Sequence, residues 1–379
     1  MQILDKPEAA AIAPDQNATD GTSRIRDAIA ARSAPTCAAA GCSVDAFHRQ
    51  RKVRRRRRGN LLCSPDSKDN RLTQRMAWIR IAGIARSNRS GIRRMSRIVY
   101  VNGCYVPEEE AKVSIFDRGF LFADGVYEVS SVIRGRLVEN RAHLRRLHRS
   151  LAELEMASPA SDAEIESIQY ELIARNGVEE GIVYLQVTRG AADRDFKYPV
   201  GVPPTLVMFT QAKRLIDNPQ AARGIAVITT ADIRWARRDI KTVGLLASCM
   251  AKMIATAAGA DDAWMVENGF VTEGSSNNAY IVSNEGVIIT RQLGHEILHG
   301  ITRRSVLKLA EEARLQIDER PFTVAEALAA KEAFLTSAST FVMPVTSIDG
   351  IAVGEGRPGP IARQLRKIYI AAALADTEK

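Results

Sequence analysis

From Ser96 onward, apolar and polar positions follow two clear periods separated by turn signals. "RIVYVNGCYVP" reads as a strand, an Asn102-Gly103 turn and a second strand, and "VYEVSSVIRGRLVEN" repeats the device around Arg134-Gly135. The period then lengthens. Leu144, Leu147, Leu151 and Leu154 recur at helical spacing, and "DAEIESIQYELIARNG" predicts a second amphipathic helix closed by Asn176-Gly177. Strands return in "GIVYLQVTRG" and "PPTLVMFTQA", after which charge, Asn-Pro and Gly in "RLIDNPQAARG" interrupt the pattern as a linker does. Beyond it come a strand ("GIAVITTADIRW"), a helix with a wide apolar face ("LLASCMAKMIATAAGA") and strands divided by Asn-Gly and Glu-Gly turns ("DAWMVENGFVTEGSSNNAYIVSNEGVIIT"). "GITRRSVLKLAEEARLQ" predicts a helix with Thr302 as N-cap, followed by closing strands in "AFLTSASTFVMPVTSIDG" and a last helix in "GPIARQLRKIYIAAAL". The expectation is an α/β protein of two α+β domains. A smaller N-terminal domain over 95–215 has a largely antiparallel sheet, 216–222 is a linker, and 223–379 is a larger mixed-sheet domain, with functional groups facing the cleft between the two.

The first quarter shows neither period. Residues 1–94 carry 20 Lys+Arg against 8 Asp+Glu, whereas the rest carries 33 against 36, so the overall charge of +9 comes entirely from this segment and its block "RKVRRRRRGN". Like-charge blocks of this kind predict a disordered basic extension, and Met95 is an alternative start of the folded protein. Clustered arginines also suit nucleic-acid phosphates, but aromatic residues for base stacking are nearly absent there, so nucleic acid is not the expected partner. No apolar run approaches the roughly 20 residues of a membrane span. The five cysteines form neither a disulfide framework nor a paired CxxC metal pattern, which points to a reducing cytoplasm and no metal.

Candidate chemistry begins with Lys241. In "DIKTVGLLAS" it sits between a predicted strand and an apolar helix, where it is either a snorkelling surface charge or an amine with few counter-charges, the form a Schiff base requires. Glu273 ends a strand-like run in "VTEGSSNN", and Ile301 and Thr302 open a helix whose free N–H groups make an anion seat. "LTSASTF" adds hydroxyls, Ser339 among them. Amine, carboxylate and anion seat are the three groups that pyridoxal 5'-phosphate takes from a protein.

The ordered series "FADGVYEV", "HLRRL", "YLQVTRG", "DIRW", "DIK", "VTEGSSNN", "GITRRSV" and "FLTSAS" resembles the fold-type IV, branched-chain-like class of pyridoxal-phosphate aminotransferases, and within it the D-amino-acid aminotransferases. The resemblance runs from about Ser96 to the end. It implies that Lys241 is the Schiff-base lysine and proton carrier and that Glu273 keeps the pyridine nitrogen protonated. It further implies that Arg146, Ile301, Thr302 and Ser339 bind the phosphate, and that Tyr127 lines the site close to the lysine. Arg194 and Arg234 are expected on the side of the substrate carboxylate. Many such enzymes carry a histidine two residues after the trap arginine, where this chain has Phe196. Read from sequence alone, Arg146 also fits an amphipathic-helix charge, Tyr127 a strand aromatic and Arg234 an ion-pair donor.

The reaction implied is ping-pong transamination of D-alanine with 2-oxoglutarate, giving pyruvate and D-glutamate, by a homodimer. A branched-chain L-aminotransferase, an (R)-amine transaminase and an aminodeoxychorismate lyase remain open on the same fold, and a nucleic-acid-binding protein acting through the basic extension remains open outside it.

Overall fold

The structure, a computed structural model, describes residues 96–376. The expected extension over 1–94 lies outside these residues. The first half begins with β1 (Ile98–Val101) and β2 (Cys104–Pro107), passes a short helix α1 (Arg118–Phe122), and continues as β3 (Gly125–Ile133), β4 (Arg136–Val138), α2 (Asn140–Glu153), α3 (Asp162–Asn176), β5 (Glu180–Thr188) and β6 (Thr205–Ala212). Its six strands lie in the order β2-β1-β6-β5-β3-β4, and every pairing is antiparallel. Both expected hairpins form. Asn102-Gly103 and Arg134-Gly135 have positive φ throughout, as two-residue turns matched to strand twist demand. Helices α2 and α3 cover one face of this sheet, with Leu144, Leu147, Leu151, Ile165 and Leu172 packed against Val126, Leu185, Val187 and Met208.

Leu215 is buried after β6, and a Pro-initiated turn of helix, α4 (Pro219–Arg223), occupies the expected linker. The second half runs β7 (Ile225–Ala231), α5 (Leu246–Ala257), β8 (Asp262–Glu267), β9 (Phe270–Gly274), β10 (Asn278–Val282), β11 (Ile288–Thr290), α6 (Ile301–Glu312), β12 (Ile317–Glu319), α7 (Val324–Ala329), β13 (Glu332–Ser337), β14 (Phe341–Ile348), β15 (Ile351–Ala352) and α8 (Pro360–Asp376). Its sheet has the order β12-β11-β10-β13-β14-β7-β8-β9, with β15 beside β14. Pairs β7·β8, β7·β14 and β11·β12 are parallel and the others antiparallel, which makes it the mixed sheet that the pattern predicts.

The expected Thr302 cap does not form. Gly300 is the N-cap of α6, with extended φ −63 and ψ 134, and no side chain caps the helix. A Cβ on Gly300 would lie 2.1 Å from Asn278 Oδ1, so the close approach of the α6 start to β10 requires glycine. Side-chain capping boxes stand instead at Ser161 before α3 and Thr323 before α7. No helix among the described residues is long and apolar enough to cross a membrane.

Candidate active site

The segment 239–243 is fixed before its side chains do anything. Ile240 is buried with the apolar residues under the first sheet, and Asp239 accepts from Arg149 Nη2 at 2.5 Å and Arg237 Nε at 3.0 Å. Burial pushes the Asp239 carboxyl up, but these two guanidinium groups outweigh it and hold the acid down to about 2. The backbone then pairs with the start of β3: Tyr127 N–H donates to Lys241 O at 3.0 Å, and Val243 N–H to Gly125 O at 3.0 Å. Tyr127 and Lys241 are thereby locked side by side, with Lys241 Nζ 4.1 Å from the centre of the Tyr127 ring.

Lys241 opens into a cavity lined from both sheets. Tyr127 (β3), Arg146 (α2), Arg234, Glu273, Ile301, Thr302 and Ser339 all face it, so the structure brings together eight of the nine residues expected in the site. Among the described residues Lys241 is the sole lysine lining this cavity, whereas Lys252 of α5 pairs with Asp262 at 3.1 Å outside it.

Glu273, at the end of β9, is buried and surrounded by donors. Arg234 Nη1 reaches Oε1 at 2.5 Å, while Asn278 Nδ2 at 2.9 Å and the Leu298 N–H at 3.0 Å reach Oε2. Burial pushes its pKa up, and the Arg234 charge and the Leu298 N–H oppose that shift. Since all three partners donate, the arrangement holds a carboxylate and leaves acceptor capacity on Oε1. Arg234 is clasped on its other side by Asp232, at 2.7 Å to Oδ2, and Thr272 Oγ1 donates to that same oxygen at 2.7 Å. Arg234 therefore supports Glu273, where the sequence expectation put it against a substrate carboxylate.

Arg146 is buried and doubly bonded to Glu128, Nε to Oε1 at 2.8 Å and Nη2 to Oε2 at 2.7 Å; its Nη1 donates to His299 O at 2.9 Å. A guanidinium has five N–H groups, so two are left for an anion in the cavity. Burial raises the Glu128 carboxyl, but Arg146 overcomes it, with His143 Nδ1 2.8 Å away, and brings the pKa down to about 2. Opposite Arg146 stand the first N–H groups of α6, without intrahelical acceptors, and the 337–340 turn, fixed by Ser337 to Thr340 at 2.7 Å and by Ser131 Oγ donating to Ala338 O at 2.6 Å. This donor set fits a phosphate dianion, Glu273 fits a protonated ring nitrogen, and Lys241 fits an aldehyde carbon, so the residues present fit pyridoxal phosphate.

Arg194 is the exception. It is exposed on the loop between β5 and β6, outside the residues lining the cavity, with its guanidinium 5.3 Å from the Phe122 ring and 5.4 Å from the Phe196 ring. Sequence reasoning missed Glu128, His143, Asp232 and Asn278. Only Glu128 carried a signal, being a carboxylate on the strand face opposite Tyr127 in "VYEV". No group of three or more metal-ligating side chains occurs among the described residues.

A half-buried lysine and a buried carboxylate lining one cavity with an anion seat, where two sheets meet, define the class. The profile of the family "Amino-transferase class IV" matches residues 125–348. The chain is 40% identical over 281 residues to a protein named D-alanine aminotransferase from Bacillus licheniformis, covering 74% of this chain and 99% of that one. It is 39% identical over 272 residues to another so named from Staphylococcus epidermidis, covering 71% of this chain and 95% of the relative. Among solved structures, the T.th. branched-chain amino acid aminotransferase with pyridoxamine 5'-phosphate superposes with a TM-score of 0.68 at 29% identity, over 73% of this chain and 94% of that one. The chain belongs to the class IV aminotransferases, and it is a pyridoxal-phosphate-dependent transaminase.

Proposed function

We propose that this transaminase acts on D-amino acids, moving the amino group of D-alanine to 2-oxoglutarate. The observation that carries the reading is the placement of Lys241, Glu273 and the α6 N-terminus around one cavity, in a chain about 40% identical to proteins named D-alanine aminotransferase over nearly their whole length. When bound, pyridoxal phosphate supplies an electrophilic carbon and a ring that accepts the electrons of a breaking Cα–H bond. Lys241 Nζ would hold that carbon, and its amine, when free, would carry the substrate's α-proton. The Tyr127 ring under Nζ orients the amine. Glu273, whose carboxylate accepts from Arg234, would hold the proton on the ring nitrogen, while Arg146, the Ile301 and Thr302 N–H groups and the Ser339 hydroxyl would hold the phosphate.

The likeness to branched-chain aminotransferases favours a second substrate class, L-leucine and related L-amino acids. Purified enzyme given 2-oxoglutarate and either D-alanine or L-leucine separates the two. Faster formation of pyruvate from D-alanine supports the proposal, and preferential turnover of L-leucine sinks it.

A homodimer is part of the same proposal. Along α5, Leu246, Met250, Met253 and Ile254 form a stripe at helical spacing that is 75%, 48%, 65% and 49% exposed, more apolar surface than an isolated chain leaves uncovered on one helix. The proposal includes a division into two domains over 95–215 and 223–379, which the presence of one sheet within each range supports. A reducing cytoplasm suits the free, exposed thiols of Cys104 and Cys249.

A further inference from the structure

Behind the anion seat, Thr302 is buried on the second residue of α6, and Val306, Leu307 and Ala310 of that helix pack in one cluster with Tyr369 of α8. Tyr369, itself buried, donates to Glu139 Oε2 at 2.8 Å. The other oxygen of Glu139 accepts from Ser305, one turn along α6 from Thr302. Glu139 is the single residue between β4 and α2, and it holds a left-handed backbone with φ 56 and ψ 24. Glycine would adopt that conformation at lower cost, so a glutamate kept there points to a use for its side chain. Helix α2 also carries Arg146. The Glu139 carboxylate thus joins the start of the Arg146 helix to the first turn of the Thr302 helix through Ser305, and its other oxygen is held by a phenol from α8.

We infer that Tyr369 and Glu139 are positioning residues for the cofactor phosphate, fixing the first turn of α6 and its spacing from α2. Tyr369 and Ser305 each donate their single hydroxyl proton to a Glu139 oxygen, which holds the first turn of α6 in place and leaves the Thr302 hydroxyl proton for the phosphate. Burial and the Glu139 charge push the Tyr369 pKa well up, so the phenol stays protonated and able to donate. The inference rests on the α6 N-terminus being the phosphate seat.

The test compares affinity for pyridoxal phosphate with affinity for pyridoxal, which lacks the phosphate, by absorbance titration of cofactor-stripped full-length protein. Tyr369→Phe and Glu139→Gln should each lower the preference for the phosphorylated form by roughly tenfold, with pyridoxal affinity and melting temperature unchanged. In a Glu139→Ala background, Tyr369→Phe should then add nothing. Equal losses for both ligands would mean general loosening and overturn the inference, as would a Tyr369→Phe effect that persists without the Glu139 carboxylate. If the wild type itself shows no preference for the phosphorylated form, the seat is misassigned and the reading of the site falls with the inference. Should Tyr369→Phe not fold, Glu139→Gln decides the matter alone.

Discussion

Arg146 has a full charge partner behind it, so its loss of that partner is more damaging than its loss of a ligand. Glu128→Gln leaves a buried guanidinium without a counter-charge, and we expect a destabilisation of about 3 to 5 kcal/mol together with weaker cofactor retention, read by thermal melts and absorbance. The pH dependence has a definite sign. The folded pKa of Glu128 lies below its ordinary value, at about 2 against 4.5, so its contribution is complete above about 4.5 and is lost as pH falls toward 2. That contribution is about 3 kcal/mol, and an acid-unfolding series should show it vanish in Glu128→Gln. Arg234→Gln predicts a different outcome. With Glu273 and Asp232 left facing each other in a buried site, Glu273 takes up a proton, and turnover falls roughly a hundredfold while the cofactor stays bound. The chemistry of Lys241 and Glu273 was legible in their apolar or small-residue surroundings. The partners of Arg234 were not, because an ion pair between residues 39 apart in sequence leaves no periodic trace.

At the scale of elements, local rules held wherever the residue type left one choice. Asn-Gly and Arg-Gly turns fixed two hairpin registers, and Gly177 ended α3 in the left-handed conformation that its place after Asn176 predicts. Helix α1 and strand β12 were too short to show a period, and tertiary contacts define them. The cap of α6 was misread for a physical reason: Thr302 looks like a cap in sequence, but it is already the second residue of the helix, and the tight approach to Asn278 admits only Gly300 at the joint. The capping box at Ser161 is remote from the cavity. Ser161→Ala should therefore cost about 1 kcal/mol in denaturant melts and leave transamination rates as they are.

For the whole molecule, the mixed sheet positions Glu273 and the α6 N-terminus, the antiparallel sheet positions Tyr127 and Arg146, and the 239–243 segment ties Lys241 to the antiparallel one. The division into two sheets was readable from the break around Asn218-Pro219, whereas the exposure of the apolar stripe on α5 was not, because an apolar helix face reads alike in sequence whether it is buried or exposed. Met253→Glu on the exposed stripe of α5 should convert dimer to monomer in sedimentation velocity, and an unchanged sedimentation coefficient would remove α5 from the interface. The most direct test of the central claim is reduction of the cofactor-loaded protein with borohydride, followed by mass spectrometry of its peptides. The account predicts the phosphopyridoxyl mass on Lys241 and its loss in Lys241→Ala, with Lys252→Ala labelled as the wild type; label on Lys252, or no label on Lys241, would contradict it.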